Sequence, residues 1–404
     1  MTTSGDREYQ ETHPWISFQL DLRQADPRLW VLLGQIVAFG EFVSRAVLPP
    51  KVASNLARIY LAKGVQATVA IEGNTLSEEE VLAQIDDKLE LPASKEYLGR
   101  EVGNVLDAAN EIVTRIHSGN APRLTAAFVA DCNGRILTGL AEVLGDEVEP
   151  GRIRKHSVGV GRYRGAPAED CEYLLDQLGE WLEEIPELTV LATESDNRVA
   201  TGVLRAVLAH LYIAWIHPFG DGNGRTARLV ELSLLARVLP FPSAQLLSNH
   251  YNDTRAAYYR ELDRASQANQ RRGDALGFLL YGLQGLSDGL REQCREVTLV
   301  HHEIAWRDFV YRRFDEEESS SAMLRRRQVV LDLTPASDPV SKEEIPFQSR
   351  KLVRAYSPLN PKTLDRDLAW LMQQKLVVRA GAGYAANRDL MKAFVMPGAP
   401  EGGS

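Results

Sequence analysis

The chain is poor in several things that would have named a fold or a compartment at once. Only three cysteines occur in 404 residues, Cys132, Cys171 and Cys294. An odd number at wide spacing provides neither a disulfide framework nor a zinc ligand set, and predicts idle thiols in a reducing compartment. No apolar leader follows the polar start MTTSGDREYQETHPW, and no run approaches the ~18 uninterrupted apolar residues of a membrane span. A soluble, cytoplasmic protein without membrane contact is expected. A Walker A loop and a GxGxxG turn are both missing, so P-loop and Rossmann modes of nucleotide binding have no support. Net positive charge is missing as well: Lys+Arg 46 against Asp+Glu 55 leaves −9, which excludes a protein that coats nucleic acid over its whole surface.

What is present is 44% hydrophobic residues in a chain long enough for two or three domains. The charge is uneven. Residues 321–404 carry 13 basic and 8 acidic side chains, whereas residues 1–320 carry 33 and 47, a basic tail on an acidic body. Most of the body has helical periodicity, as in Leu29, Leu32, Leu33, Ile36 and Val37, and again in Val102, Val105, Leu106, Ala109 and Ile112. Pro49-Pro50, Pro92 and Pro122 separate the segments. The stretch Val199 to Trp215 is apolar nearly all round and predicts a helix buried at the centre of a bundle. In PGRIRKHSVGVGRYRG, residues 150–165, short extended pieces between glycines predict a β-hairpin. The acidic, serine-rich run 315–321 reads as a linker. Beyond it three helical segments and a glycine-turned end predict a winged helix-turn-helix over 322–396, a module that docks on DNA or on protein. Asp365 and Asp367 on its third helix would face DNA phosphates unfavourably.

The chemistry concentrates in His217-Pro218-Phe219-Gly220-Asp221-Gly222-Asn223-Gly224-Arg225-Thr226-Ala227-Arg228. Pro218 stops the buried helix and the glycines permit a tight turn, so a new helix begins near Arg225. Its N-terminus offers unpaired amides and the positive end of the helix dipole, an anion site. Arg225 and Arg228, three residues apart, are placed to reach phosphate oxygens there. Asp221 supplies a hard oxygen for Mg²⁺ shared with a nucleotide. His217 titrates near neutrality and can take a proton from an attacking hydroxyl. Together these parts predict phosphate-ester transfer. His301-His302-Glu303, on adjacent positions, reads as a solvated face.

This stretch resembles the Fic family motif, H-x-F-x-[DE]-G-N-G-R-x-x-R, at every specified position. The resemblance implies a mainly α fold, a helical bundle core with a β-hairpin flap at 150–165, and transfer of AMP from ATP to a Ser, Thr or Tyr hydroxyl of a protein. It implies His217 as general base and Asp221 as ligand of Mg²⁺ or Mn²⁺. Gly222, Asn223, Gly224, Arg225, Thr226 and Arg228 become the phosphate site, and Tyr258 and Tyr259 resemble a tyrosine pair near the adenine, with core packing as an equal reading. Val158, Gly159 and Val160 would dock the target as an added strand. Gly224 stands where phosphotransferring relatives have lysine.

Thr68-Val69-Ala70-Ile71-Glu72-Gly73 resembles the family's inhibitory pattern, [ST]-x-x-x-E-[GN]. It implies a helix, about 60–72, that places Glu72 against Arg228 where a γ-phosphate would lie. The expected layout is an N-terminal helical region 1–120, a core 121–314, the linker 315–321 and the winged helix. The partners implied are a hydroxyl-bearing protein target, the protein itself, DNA through the winged helix, and a second copy of the chain. Two rival readings stand beside transfer: removal of AMP from a modified protein at the same site, and a DNA-binding regulator whose Fic domain senses nucleotide.

Overall fold

The computed structural model describes residues 7–161, 163–185, 197–267, 274–334 and 338–391. The chain forms two compact units, Met1–Arg295 and Glu296–Ser404.

The first unit is a helical bundle built around the helix Asn197–Ile216. Its Val203, Leu204, Val207, Leu208 and Leu211 are fully buried, so apolar residues on every side find a neighbour. By length and composition this helix could cross a membrane, yet 78% of its apolar window is covered by the rest of the fold, as a core helix requires. Helices Pro27–Ser44, Pro50–Ala70, Glu96–His117, Ala126–Ile136, Cys171–Glu184 and Asn223–Leu235 bury their apolar faces in the same core. Local sequence sets their starts. Asp26 caps the first, with Pro27 in its first turn, Ser77 and Glu80 form a reciprocal capping box for Glu78–Ile85, and Thr125 accepts the Phe128 amide. Pro50 also lies in the first turn of its helix, so Pro49-Pro50 begins an element as well as ending one.

The hairpin is shorter than the expected 150–165. Among the described residues only Gly159–Val160 and Tyr163–Arg164 pair, antiparallel, with Gly159 opposite Arg164. Residues before Gly159 are drawn into loop contacts instead. Gly151, at φ 76°, packs its Cα against Gly134, where a Cβ would sit 3.2 Å from the Gly134 Cα.

The unit division differs from the composition-based expectation at both ends. No boundary falls near residue 120, since Glu96–His117 and Ala126–Ile136 share one core. The run 315–321 is not the division either. The helix Ala275–Asp315 continues past Arg295, and its Trp306, Val310 and Phe314 are core residues of the second unit. Ser320 then caps the helix Ser321–Leu333 by accepting the Met323 amide.

In the second unit, helices Ser321–Leu333, Arg350–Tyr356 and Lys362–Gln373 precede a hairpin of Val377–Ala380 and Gly383–Ala386. That is the order expected for a winged helix-turn-helix, and a bridge from Val340 to Tyr384 extends the hairpin by one position. Residues 392–396 of the expected module lie outside the described residues. Asp367 overturns its sequence-based placement. It is 1% exposed, accepts Arg325 Nε at 2.7 Å and Arg326 Nε at 2.8 Å, and takes the Tyr356 hydroxyl at 3.0 Å. Asp365 stays at the surface, paired with Lys342.

Candidate active site

The helix Asn197–Ile216 runs to its limit at His217, whose amide still donates to Ile213 O at 2.9 Å. There the backbone turns left-handed: His217 has φ 51°, a conformation that costs a residue with a Cβ and must be held by its surroundings. Asn223 closes the loop that follows. Its Oδ1 accepts the Phe219 amide at 2.9 Å and its Nδ2 donates to Phe219 O at 2.8 Å. Gly222, left-handed at φ 75°, then starts the helix Asn223–Leu235. The amides of Asn223, Gly224 and Arg225 form its first turn, where no preceding carbonyl of the helix can reach them.

These elements surround a cavity of about 340 Å³. His217, Asn223, Gly224, Arg228, Glu72, Tyr258 and Tyr259 line it, joined by Trp215, Tyr163 and Gly161. Arg228 is 1% exposed. Its Nη2 donates to Glu72 Oε1 at 2.5 Å and to Thr68 O at 3.0 Å, while Nε and Nη1 have no partner among the described residues. Burial pushes the Glu72 carboxyl up, but Arg228, then Arg225 and Arg255, outweigh it and leave Glu72 below the ordinary carboxylate value. Glu72 itself lies just past the end of the helix Pro50–Ala70, in a turn that Gly73 completes at φ 101°.

Burial lowers the pKa of His217 to about 4, partly offset by the Ala214 carbonyl and helped by the positive charge of Arg154. Its imidazole is therefore neutral at physiological pH, and burial moves it away from the titration near neutrality expected from the sequence. Tyr258 is buried, its hydroxyl 2.9 Å from His210 Nε2, so it serves core and cavity wall at once. Tyr259 forms the exposed rim.

Arg225, Thr226, Val158 and Gly159, all expected at the site, lie outside the cavity wall. Arg225 does not line the cavity: Nη1 is 2.6 Å from Glu101 Oε1 and Nη2 is 3.2 Å from Asp221 Oδ1, which draw it to the flank of the helix. Thr226 is fully buried, its amide donates to Gly222 O and its hydroxyl accepts Asn133 Nδ2 at 3.2 Å, so neither group is free for phosphate. Val158 and Gly159 lie beside the cavity rather than in its wall, with Val158 O accepting the Gly165 amide at 3.1 Å. For Val160 only the backbone pairing is described.

Asp221 is 43% exposed, and its Oδ1 also accepts the Gly222 amide. Among the described residues no group of three metal-binding side chains exists. One accessible carboxylate fits a divalent ion only if phosphate oxygens and water complete the shell, as suits Mg²⁺.

Sequence reasoning missed Asn133, Glu101 and Arg154. Asn133 Nδ2 donates to Asp221 O at 3.0 Å and its Oδ1 accepts the Gly151 amide at 3.0 Å. Glu101 holds Arg225 and also accepts Asn74 Nδ2 at 2.8 Å, two residues beyond Glu72.

Residues 123–235 match the profile of the Fic/DOC family. They form a Fic domain. The protein adenylyltransferase fic-1 of Caenorhabditis elegans is 32% identical over 207 residues, a match spanning 51% of this chain but only 37% of that protein. The protein adenylyltransferase Fic of Nematostella vectensis is 29% identical over 202 residues, spanning 50% and 42%. Among solved structures, a Fic family protein from Desulfovibrio desulfuricans G20 superposes with a TM-score of 0.54 at 23% identity and covers 91% of this chain and 98% of its own, which extends the likeness of fold well beyond the Fic domain.

Proposed function

We propose that this protein transfers AMP from ATP to a Ser, Thr or Tyr hydroxyl of a protein, itself included, and that Glu72 restrains the reaction. The observation that carries this reading is the company His217 keeps: a neutral imidazole shares one cavity with first-turn amides and with an arginine that has two donors to spare. The relatives named as protein adenylyltransferases support the same chemistry.

In the reaction His217 takes the proton of the attacking hydroxyl, whose oxygen bonds to the α-phosphorus while the bond to the bridging oxygen of the pyrophosphate breaks. The amides of Asn223 and Gly224, with Arg228, hold the negative charge that moves toward the leaving group. Asp221 would hold a divalent ion together with the phosphates, and that ion would neutralise charge on the triphosphate. Tyr258 and Tyr259 would flank the base, and the hairpin Gly159–Arg164 would present the target backbone as an added strand.

A second reading, release of AMP from a modified protein, is favoured by the position of Glu72 on the cavity wall, where its charge acts on His217. Incubation with α-³²P-labelled ATP and Mg²⁺ separates the two. Transfer predicts labelled protein and pyrophosphate from a Glu72→Gly variant and none once His217→Ala is added; release of AMP without labelling would sink the transfer reading. We place the protein in the cytoplasm, in keeping with only three, widely spaced cysteines, and assign the second unit to docking on DNA or protein.

A further inference from the structure

Arg154 is 5% exposed and has no carboxylate partner among the described residues. A buried guanidinium without a counter-ion is costly unless its donors are all engaged. Among the described residues, every hydrogen bond its side chain makes is to a backbone carbonyl. Nε donates to His217 O at 2.8 Å, Nη1 to His156 O at 2.7 Å, and Nη2 to Ala166 O at 2.5 Å and Ile216 O at 3.5 Å. Its own amide donates to Pro218 O at 3.0 Å.

The carbonyls come from three places. His156 and Ala166 lie on the two arms that lead into and out of the hairpin, and Ile216 to Pro218 is the left-handed step that aims His217. Gly165 is pressed between the two: a Cβ there would lie 2.8 Å from both Arg154 Nη2 and His217 Cβ. The planar fork of arginine, with five donors in fixed directions, suits this task, and lysine with one point charge does not.

We propose that Arg154 is a positioning residue for group transfer, fastening both arms of the flap hairpin to the backbone of the general base so that target strand and imidazole keep one fixed relation. This rests on His217 acting as the base. Arg154 does not touch the cavity or the first turn of the motif helix, so it governs alignment of the hydroxyl and not the grip on phosphate.

The test uses the full chain with Glu72→Gly as parent, adding Arg154→Lys or, independently, Gly165→Ala. Misalignment of the reacting atoms by an ångström lowers transfer of label from α-³²P-ATP by about a hundredfold, while the calorimetric Kd for ATP stays within about twofold. Hydrogen exchange rises across 155–166 and 216–219 and is unchanged across Asn223–Leu235. Arg154→Lys labelling as fast as the parent with an unaltered flap would overturn the proposal. So would ATP affinity and exchange along Asn223–Leu235 collapsing together with transfer, the mark of a general packing role. If the parent itself transfers no AMP, the transfer reading has failed, and the exchange pattern alone decides whether Arg154 fastens the flap to the loop.

Discussion

Glu72 Oε1 sits 2.5 Å from Arg228 Nη2 and presses against Gly224, where any Cβ would collide with it. The carboxylate therefore lies over the first turn of the motif helix, at the position the helix dipole and free amides offer to an anion. Under the proposed transfer, an entering triphosphate would meet a negative charge already seated on Arg228.

Glu72→Gly should raise auto-modification and target labelling by roughly ten- to a hundredfold, the equivalent of losing one charge-assisted hydrogen bond of about 1.5–3 kcal/mol. Glu72→Asp, with a shorter side chain, should release less. Adding Arg228→Ala should cancel the gain, because the freed guanidinium is its source. Labelled-ATP incorporation across the four proteins checks this, and a silent Glu72→Gly would remove the latch from the account.

Glu101 links Arg225 to the turn that carries Glu72, through Asn74. Glu101→Gln keeps the shape but leaves the side chain of Arg225, 6% exposed, with Asp221 alone. It should cost about 1–3 kcal/mol of stability, reflecting the mostly buried charge left with a weaker partner, and should weaken the hold on the Glu72 turn. The readouts are the melting temperature, which falls, and basal labelling by the otherwise unchanged protein, which rises. A rise in melting temperature would show that Glu101 strains the loop instead of bracing it.

The turn of the loop 217–223 was legible because it is written locally: proline stops one helix, Gly222 turns left-handed, and Asn223 ties the loop to itself within four residues. The Glu72–Arg228 pair was legible only through the family motif, since 156 residues separate the two. Asn133, Glu101 and Arg154 act from segments 88, 124 and 63 residues away, and nothing in RIRKHSVGVGRYRG distinguishes Arg154 from Arg152 or Arg164. Arg225 was misplaced because residues three apart share a helix end, yet the acidic side chains around them decide where each fork turns. Asp367 had a usable signal. It lies on the stripe Leu364, Leu368 and Leu371, all buried, so its spacing placed it inside and its charge type suggested otherwise.

Burial holds His13, His217 and His250 below the ordinary imidazole value, His217 at about 4. The unfolded chain, whose histidines titrate near about 6.5, binds more protons than the folded one below that pH. Stability from these groups is complete above about pH 6.5 and is lost as pH falls, at up to about 1.4 kcal/mol per pH unit for each. For His217 the loss continues down to about 4. Melting temperatures should therefore drop between about pH 6.5 and 4.5, and His250→Phe should reduce the slope by removing one of the three. His250 suits the substitution because its Nε2 is buried without a partner. A slope unaffected by His250→Phe would remove His250 from the acid loss.

The second unit depends on Asp367. Arg325 and Arg326 converge on it from one helix and Tyr356 from another, with side chains 10% and 17% exposed for the two arginines. Asp367→Ala leaves two nearly buried guanidinium groups without their carboxylate, a loss of about 3–5 kcal/mol. The chain has two cores, so calorimetry should resolve a lowered transition for the second unit while the first is unmoved. Replacing the whole cluster, Arg325→Met and Arg326→Met with Asp367→Leu, should restore most of that transition, because no charge is then left unpaired. A cut after residue 320 should do worse than one after Arg295. It strips Val329, Leu333 and Leu368 from Trp306, Val310 and Phe314, which then face water at the end of their helix. If the 1–320 fragment proves as soluble and as cooperative in unfolding as 1–295, the last turns of that helix do not belong to the second core.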